Sequence, residues 1–266
     1  MRCAIISDIH GNLDALQAVL ADAGEVDELW CLGDLVGYGP EPNECIDLLR
    51  GRGALCVAGN HDWAAIGKMD TAEFNPEAGE AAQWTRARLI PEHHAFLEGL
   101  PVQLTAGAMT EFTLVHGSPR EPVWEYLTHV SAARLNFSYF QTPYCLVGHT
   151  HVPLVFQRPW PEDRAADCLT VVPETEQPMA LGLQRLIVNP GSVGQPRDGN
   201  PDAAYMIYES AEAPGLRVPR TSAAGGAVER GRLTLRRVTY PVASVQQKMR
   251  AAGLPPRLIT RLTYGW

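Results

Sequence analysis

Cys3-Ala4-Ile5-Ile6-Ser7-Asp8-Ile9-His10 is an apolar run of strand type that stops at a carboxylate and an imidazole two residues apart. A short apolar run bounded by polar residues reads as a buried strand. Asn12, just beyond it, is suited to cap a helix in which Leu13, Leu16, Val19 and Leu20 share one face. The same design recurs down the chain. Glu28–Leu32 runs into Gly33-Asp34, and Ala54–Ala58 runs into Gly59-Asn60-His61-Asp62. Phe112–Val115 runs into His116-Gly117-Ser118, and Tyr144–Val147 into Gly148-His149-Thr150-His151. Five predicted strands therefore each end at residues of metal-ligand type.

In α/β sheets the carboxyl ends of strands gather on one rim, where ligands bind. Asp8 and His10 face one way if the chain stays extended there, as do His149 and His151. A lone Asp-x-His is weak evidence, and Gly-Asn-His-Asp also reads as a turn. Five such endings in one chain are not accounted for by turns. Asp8, His10, Asp34, Asn60, His116, His149 and His151 exceed the protein ligands of one ion. They fit two ions with one bridging carboxylate, for which Asp34 is the natural choice. Imidazoles mixed with carboxylates suit Mn, Fe, Zn or Ni better than Ca or Mg. His93, His94 and His129 fall on a polar helix face or near a helix start, and surface positions are expected for them.

The remainder alternates less regularly. A turn at Gly37-Tyr38-Gly39-Pro40 precedes a helix through Ile46–Leu49, and residues 76–100 have helical pattern. Leu154–Phe156 reads as a hairpin partner of the Tyr144–Val147 strand. Arg185–Val188, Ala204–Tyr208 and Arg232–Thr239 return to strand pattern, and Val242–Leu262 holds one or two helices. Residues 158–179, rich in Pro, Glu and Asp, read as a surface insertion, and 211–231 as a mobile loop. No linker separates two cores, so the expectation is one domain over 1–266, a layered α/β sandwich.

With 45% hydrophobic and 20% charged residues the composition is that of an ordinary globular protein. A net charge of −8 supplies no general field for polyanions, which argues against long nucleic acid as a partner. No stretch approaches the ~18 apolar residues of a membrane span, and no secretion signal is recognisable. A soluble cytoplasmic protein is the resulting expectation; the oligomeric state is not legible. Six cysteines without a Cys-x-x-Cys pair read as small buried hydrophobes, not a disulfide framework.

The blocks Asp8-x-His10, Gly33-Asp34, Gly59-Asn60-His61-Asp62, His116 and Gly148-His149-Thr150-His151 resemble, in order, those of the calcineurin-like metallophosphoesterase family. Asn189-Pro190-Gly191-Ser192-Val193-Gly194 is similar to a loop of its small bacterial and archaeal members. The resemblance implies a four-layer α/β/β/α sandwich. It implies one ion held by Asp8, His10, Asp34 and His151, a second held by Asp34, Asn60, His116 and His149, and a catalytic His61 that is not a ligand. The activity implied is hydrolysis of phosphate esters of small or medium size by a metal-bound hydroxide, with diesters favoured. The alternatives are a phosphomonoesterase or protein phosphatase-like activity, and a non-catalytic scaffold on the same fold.

Other polar groups have two readings each. Arg120 is either a phosphate contact or half of a surface ion pair. Asn12 either approaches substrate or only caps its helix. Tyr38 either stacks on an incoming ring or belongs to its turn. Gly191 and Gly194 mark either a tight backbone approach beside the site, with Arg197 near it, or a plain turn. Asp62 either orients His61 or closes a turn.

Overall fold

The computed structural model describes residues 1–107, 111–158, 167–211 and 229–266. Two six-stranded mixed sheets lie face to face. The first sheet contains β1 (Arg2–Ile6), β2 (Glu28–Cys31) and β3 (Leu55–Cys56), all parallel. β4 (Gln103–Ala106), β5 (Phe112–Val115), β6 (Tyr144–Leu146), β7 (Leu154–Arg158) and β8 (Leu169–Val171) belong to the second sheet, and β9 (Pro178–Leu181) to the first. β10 (Arg185–Asn189) completes the second sheet; β11 (Ala203–Ser210) and β12 (Gly231–Val238) complete the first. The strand orders are β3-β2-β1-β11-β12-β9 and β4-β5-β6-β10-β7-β8.

Strand alternation feeds two cores at once. Cys3 and Ile5 point into the space between the sheets, where they meet Trp30, Phe112, Tyr144, Leu186 and Val188. Ala4 and Ile6 point the other way, into a core with the outer helices. That helical layer includes α1 (Leu13–Ala23), α2 (Pro42–Gly51), α4 (Pro76–Arg86) and α5 (Pro91–Glu98), which follow the short α3 (Asn60–Ala65). It also includes α7 (Val242–Ala251) and α8 (Pro256–Arg261). On the far side, β10 sends Leu186 and Val188 inward and Ile187 outward, where Phe137 beside α6 (Val130–Asn136) covers it. The result is the four-layer α/β/β/α sandwich. Asn12 caps α1 by accepting from the Ala15 amide at 3.2 Å. All six cysteines are free and buried. Among the described residues no helix is long and apolar enough to cross a membrane.

Several expectations need correction. β7 does not pair with β6; β10, some thirty residues later in sequence, lies between them, parallel to β6 and antiparallel to β7. A local hairpin reading cannot anticipate a strand inserted from so far along the chain. The helical stretch 76–100 is two helices, because Ile90 and Pro91 break it: Pro91 starts α5 at a position that needs no N–H. Within 158–179 the chain gives β8 to the edge of one sheet and, at its end, starts β9 at the edge of the other; β8 is exposed along its length. Residues 159–166, and residues 212–228 of the expected loop, lie outside the described residues.

Ile5 is fully buried between the sheets. Ile5→Ala is expected to cost about 2–5 kcal/mol of stability, read as a lowered urea midpoint with an unchanged slope.

Candidate metal centre

Six parallel strands, three from each sheet, end at one place. Asp8 and His10 follow β1, Asp34 follows β2, and Asn60 follows β3. His116 follows β5, His149 and His151 follow β6, and β10 runs into Pro190-Gly191-Ser192. All seven expected donors are buried. They form two groups, Asp8-His10-Asp34-His151 and Asp34-His116-His149, that have Asp34 in common.

The chain does not stay extended beyond the strands. Asp8, His10, Asp34, His149 and His151 all have φ between +52° and +66°. This left-handed geometry costs about 1 kcal/mol or more for a residue with a Cβ. It also replaces period-two alternation as the reason that Asp8 and His10 converge. The kinks are held by backbone bonds between neighbouring loops: Asp8 N–H to Gly33 O, His10 N–H to Asp34 O, and Gly194 N–H to Asp8 O, at 2.9–3.1 Å.

Hydrogen bonding fixes which way each imidazole faces. His10 Nδ1 bonds Val36 O, His151 Nδ1 bonds Gln195 O, and His116 Nδ1 bonds Leu32 O. His149 uses its other nitrogen, Nε2, toward Trp124 O at 3.0 Å. A carbonyl only accepts, so each of these nitrogens carries the proton, and a neutral ring then turns a bare lone pair inward. The inward atoms are close together. His10 Nε2 lies 3.1 Å from His151 Nε2 and 3.6 Å from Asp34 Oδ2. His151 Nε2 lies 3.3 Å from Asp8 Oδ1. His116 Nε2 is 3.1 Å from His149 Nδ1, 3.0 Å from Asn60 Oδ1 and 3.3 Å from Asp34 Oδ2. Donors about 2.1 Å from a common ion stand roughly 3.0–3.4 Å apart. Asp34 Oδ1 accepts from the His61 amide at 2.8 Å, whereas its Oδ2 is buried without a hydrogen-bond partner. These donors fit a pair of cations, with Asp34 able to serve both.

The electrostatics agree. Burial holds His10, His149 and His151 well below the ordinary imidazole range, so they are neutral. Burial pushes the Asp8 carboxyl up to about 7. Burial also acts on Asp34, but the imidazoles of His116 and His61 outweigh it and hold that carboxyl below its ordinary range. His116 is the counterpart: against burial, Asp34 raises it to about 9. Asp34 is thus the group of the cluster that draws positive charge, here the proton on His116.

His61 is buried beside the donors, its ring centroid 4.9 Å from that of His10 and 4.3 Å from that of Tyr38. Burial lowers it to about 4. Gly37, with φ +92°, makes room for it: a Cβ there would stand 2.7 Å from His61 Nδ1. The softer expectations fare differently. Tyr38 is buried against His10 and His61, with its hydroxyl facing Arg197, so its ring has no free face for a ligand. Arg120 pairs with Glu125, which also accepts from Ser118 and Asn136, so the ion-pair reading describes it. Asn12 is consumed by its cap and by donating to Gly194 O. His93 is buried, against the surface expectation, because it bridges Asn43 and Asp47 of α2 at 2.8 Å each.

Other residues support the site from behind. The Asp62 carboxylate accepts from the amides of Asp34, Val36 and Gly59 at 2.9–3.2 Å. It therefore pins two donor-bearing loops together; among the described residues it makes no bond to the His61 ring. Asn189 donates to Gly148 O and Thr150 Oγ1, and Ser192 donates to Asp8 O. A Cβ on Gly194 would stand 1.8 Å from Ile9 O, so the tight-approach reading of this loop is the one observed. Arg197 lies beside it, bonded to Tyr38 and Gln195; among the described residues no carboxylate pairs with it, and its Nε is buried without a partner.

Two mixed sheets flanked by helices, with the donor cluster at their common rim, give a fold of the metallophosphoesterase type. Residues 1–212 match the calcineurin-like phosphoesterase superfamily domain, and the chain belongs to that superfamily. A crystal structure of a metallophosphoesterase from Sphaerobacter thermophilus is 45% identical, with a TM-score of 0.81 over 100% of this chain and 99% of that one. An uncharacterized protein of Methanocaldococcus jannaschii is 33% identical over 98% of this chain and 97% of its own length. A symmetrical bis(5'-nucleosyl)-tetraphosphatase of Psychromonas ingrahamii is 43% identical, but over only 43% of this chain and 47% of its own length.

A Cβ on Gly59 would stand 2.0 Å from Asp34 Oδ1. Gly59→Ala should therefore displace Asp34: Mn²⁺ is expected to raise the melting temperature of the unsubstituted protein and to leave that of the variant unchanged, measured by differential scanning calorimetry with and without the ion.

Proposed function

We propose that this protein hydrolyses phosphate esters with two metal ions. One is held by Asp8, His10, Asp34 and His151, the other by Asp34, Asn60, His116 and His149. The observation that carries this reading is the set of inward ring nitrogens: four imidazoles donate outward to backbone carbonyls and turn their other nitrogens to within 3.1–3.6 Å of one another and of carboxylate oxygens, three of them bare and that of His116 holding a proton that a cation would replace. The imidazole–carboxylate mixture favours Mn, Fe, Zn or Ni. Such ions, when bound, would supply activation of water and neutralisation of charge on the phosphoryl oxygens.

The chain's own residues do the rest. Asp34 fixes the spacing of the two sets, since its Oδ2 faces His10 and His116 alike. Asp62 and the Asn189–Gly194 loop hold the ligand loops so that no reorganisation accompanies reaction. His61 lies against the first donor set, and because burial leaves it neutral its ring N–H is placed to hydrogen-bond the charge that develops on the leaving oxygen, a contribution typically worth roughly 10²–10³-fold. Arg197, uncompensated by any described carboxylate, offers charge to a non-bridging phosphate oxygen. Side chains flank the donors at two places, Arg197 beyond Tyr38 and Tyr126 against His149, which favours an ester substituted on both sides of phosphorus. The matched half of the tetraphosphatase supports the bond-breaking part of this reading and leaves the organic group open. The complete donor set speaks against a scaffold role, and the acidic chain against long nucleic acid.

Asp34→Ala should lower the content of both ions, measured by elemental analysis after Mn²⁺ loading; two full equivalents would remove it as the shared ligand. His61→Ala should keep its metal and lose turnover of bis(p-nitrophenyl) phosphate by about 10²-fold or more. Near-normal turnover in that metal-loaded variant would take His61 out of the reaction.

A further inference from the structure

Three aromatic rings form a wall along the second donor set. Phe74 packs on His61 with centroids 4.8 Å apart, and Trp124 stacks on Phe74 at 5.5 Å and 23°. Trp124 reaches to 6.2 Å from the His149 ring, and Tyr126 lies on His149 at 3.7 Å and 31°. The rings come from two separate loops, one between α3 and α4 and one between β5 and α6. Phe74 also packs on the edge of the helical core, whereas Trp124 and Tyr126 belong to no core cluster. Val123 and Leu127 are the buried members of the second loop, while Trp124 is half-buried and Tyr126 is 48% exposed. A scattered exposed apolar residue needs no explanation. A row of three joined to His61 and His149, with an open tyrosine at its end, does.

We infer that Phe74, Trp124 and Tyr126 bind the organic group of the substrate, and that this group is planar and aromatic, a nucleobase or an aryl ring. The inference rests on the proposed reaction for the position of the phosphoryl group between the donor sets. Aromatic side chains accept any π-face, and each stacked base adds roughly five- to a hundredfold in affinity. Stacking also suits this site because it adds no charge beside the donors. The wall lies against His149 at one end and His61 at the other, so a ring seated on it stands beside the donors. Tyr126 is the entry face; the Phe74–Trp124 pair backs it.

The test compares adenosine 5'-monophosphate, phenyl phosphate and ribose 5-phosphate binding to Mn²⁺-loaded protein by calorimetry, with diester hydrolysis assayed alongside. The unsubstituted protein should bind the two aromatic esters about tenfold or more tightly than ribose 5-phosphate. Tyr126→Ala, at an exposed position, and Trp124→Leu, which keeps the carbonyl that orients His149, should each shrink that gap severalfold. Preference for the adenosine ester over the phenyl ester assigns the ring as a nucleobase, and equal binding assigns it as an aryl group. Equal affinity for all three ligands, or a gap that survives in both variants while they melt cooperatively, overturns the inference. Hydrolysis without aromatic preference thus removes the wall and leaves the reaction. Aromatic preference without hydrolysis of any ester removes the reaction and leaves the wall.

Discussion

Bare nitrogen lone pairs and carboxylate oxygens repel when they are held 3 Å apart out of water, and the molecule is built to hold them there. His10 and His151 face each other through unprotonated Nε2 atoms at 3.1 Å, because each ring has committed its other nitrogen to a backbone carbonyl. Left to themselves these groups would separate, or take up protons as His116 does under the pull of Asp34. A cation removes the conflict and makes the same distances favourable. The left-handed backbone at Asp8, His10, Asp34, His149 and His151 is a second cost paid at the same place. Both are sustained by the two cores beneath, which the alternating side chains of β1 fill on either face.

The supporting residues show how such strain is kept. Asp62 gathers three amides from two loops, and Asn189 and Ser192 reach across to the β6 and β1 loops. None of these three touches the space between the donors. Each removes a way for a ligand loop to relax. Gly59 and Gly194 serve the same end by absence of bulk, letting Asp34 and Ile9 approach closer than any side chain would allow.

Much of this could be read from residues in order. Apolar runs stopping at Asp8, Asp34, Asn60, His116 and His149 located the strands and the residues that meet at one rim, because strand ends converge in this architecture. What could not be read depended on contacts far apart in sequence. His93 is buried only because α2 offers Asn43 and Asp47 to it. Tyr38 looked available because its turn is rich in glycine, yet Gly37 folds the ring inward onto His10 and His61. β7 pairs with a strand some thirty residues onward, and no local pattern announces that. Trp124 and Tyr126 sit in a loop without periodicity, so nothing in the pattern set them apart from surface aromatics. The direction of Asp8 and His10 was expected from an extended chain and arises from a kinked one.

Both donor sets draw on both sheets: Asp8, His10, Asp34 and Asn60 come from one, His116, His149 and His151 from the other. Occupancy of the cluster and the docking of the two halves are therefore thermodynamically linked, as a ligand is linked to the only state that binds it. A cation bound there would act as a rivet through both plates. Its free concentration would then become a variable of the protein's resistance to unfolding, and chelation would be felt first as slippage between the halves.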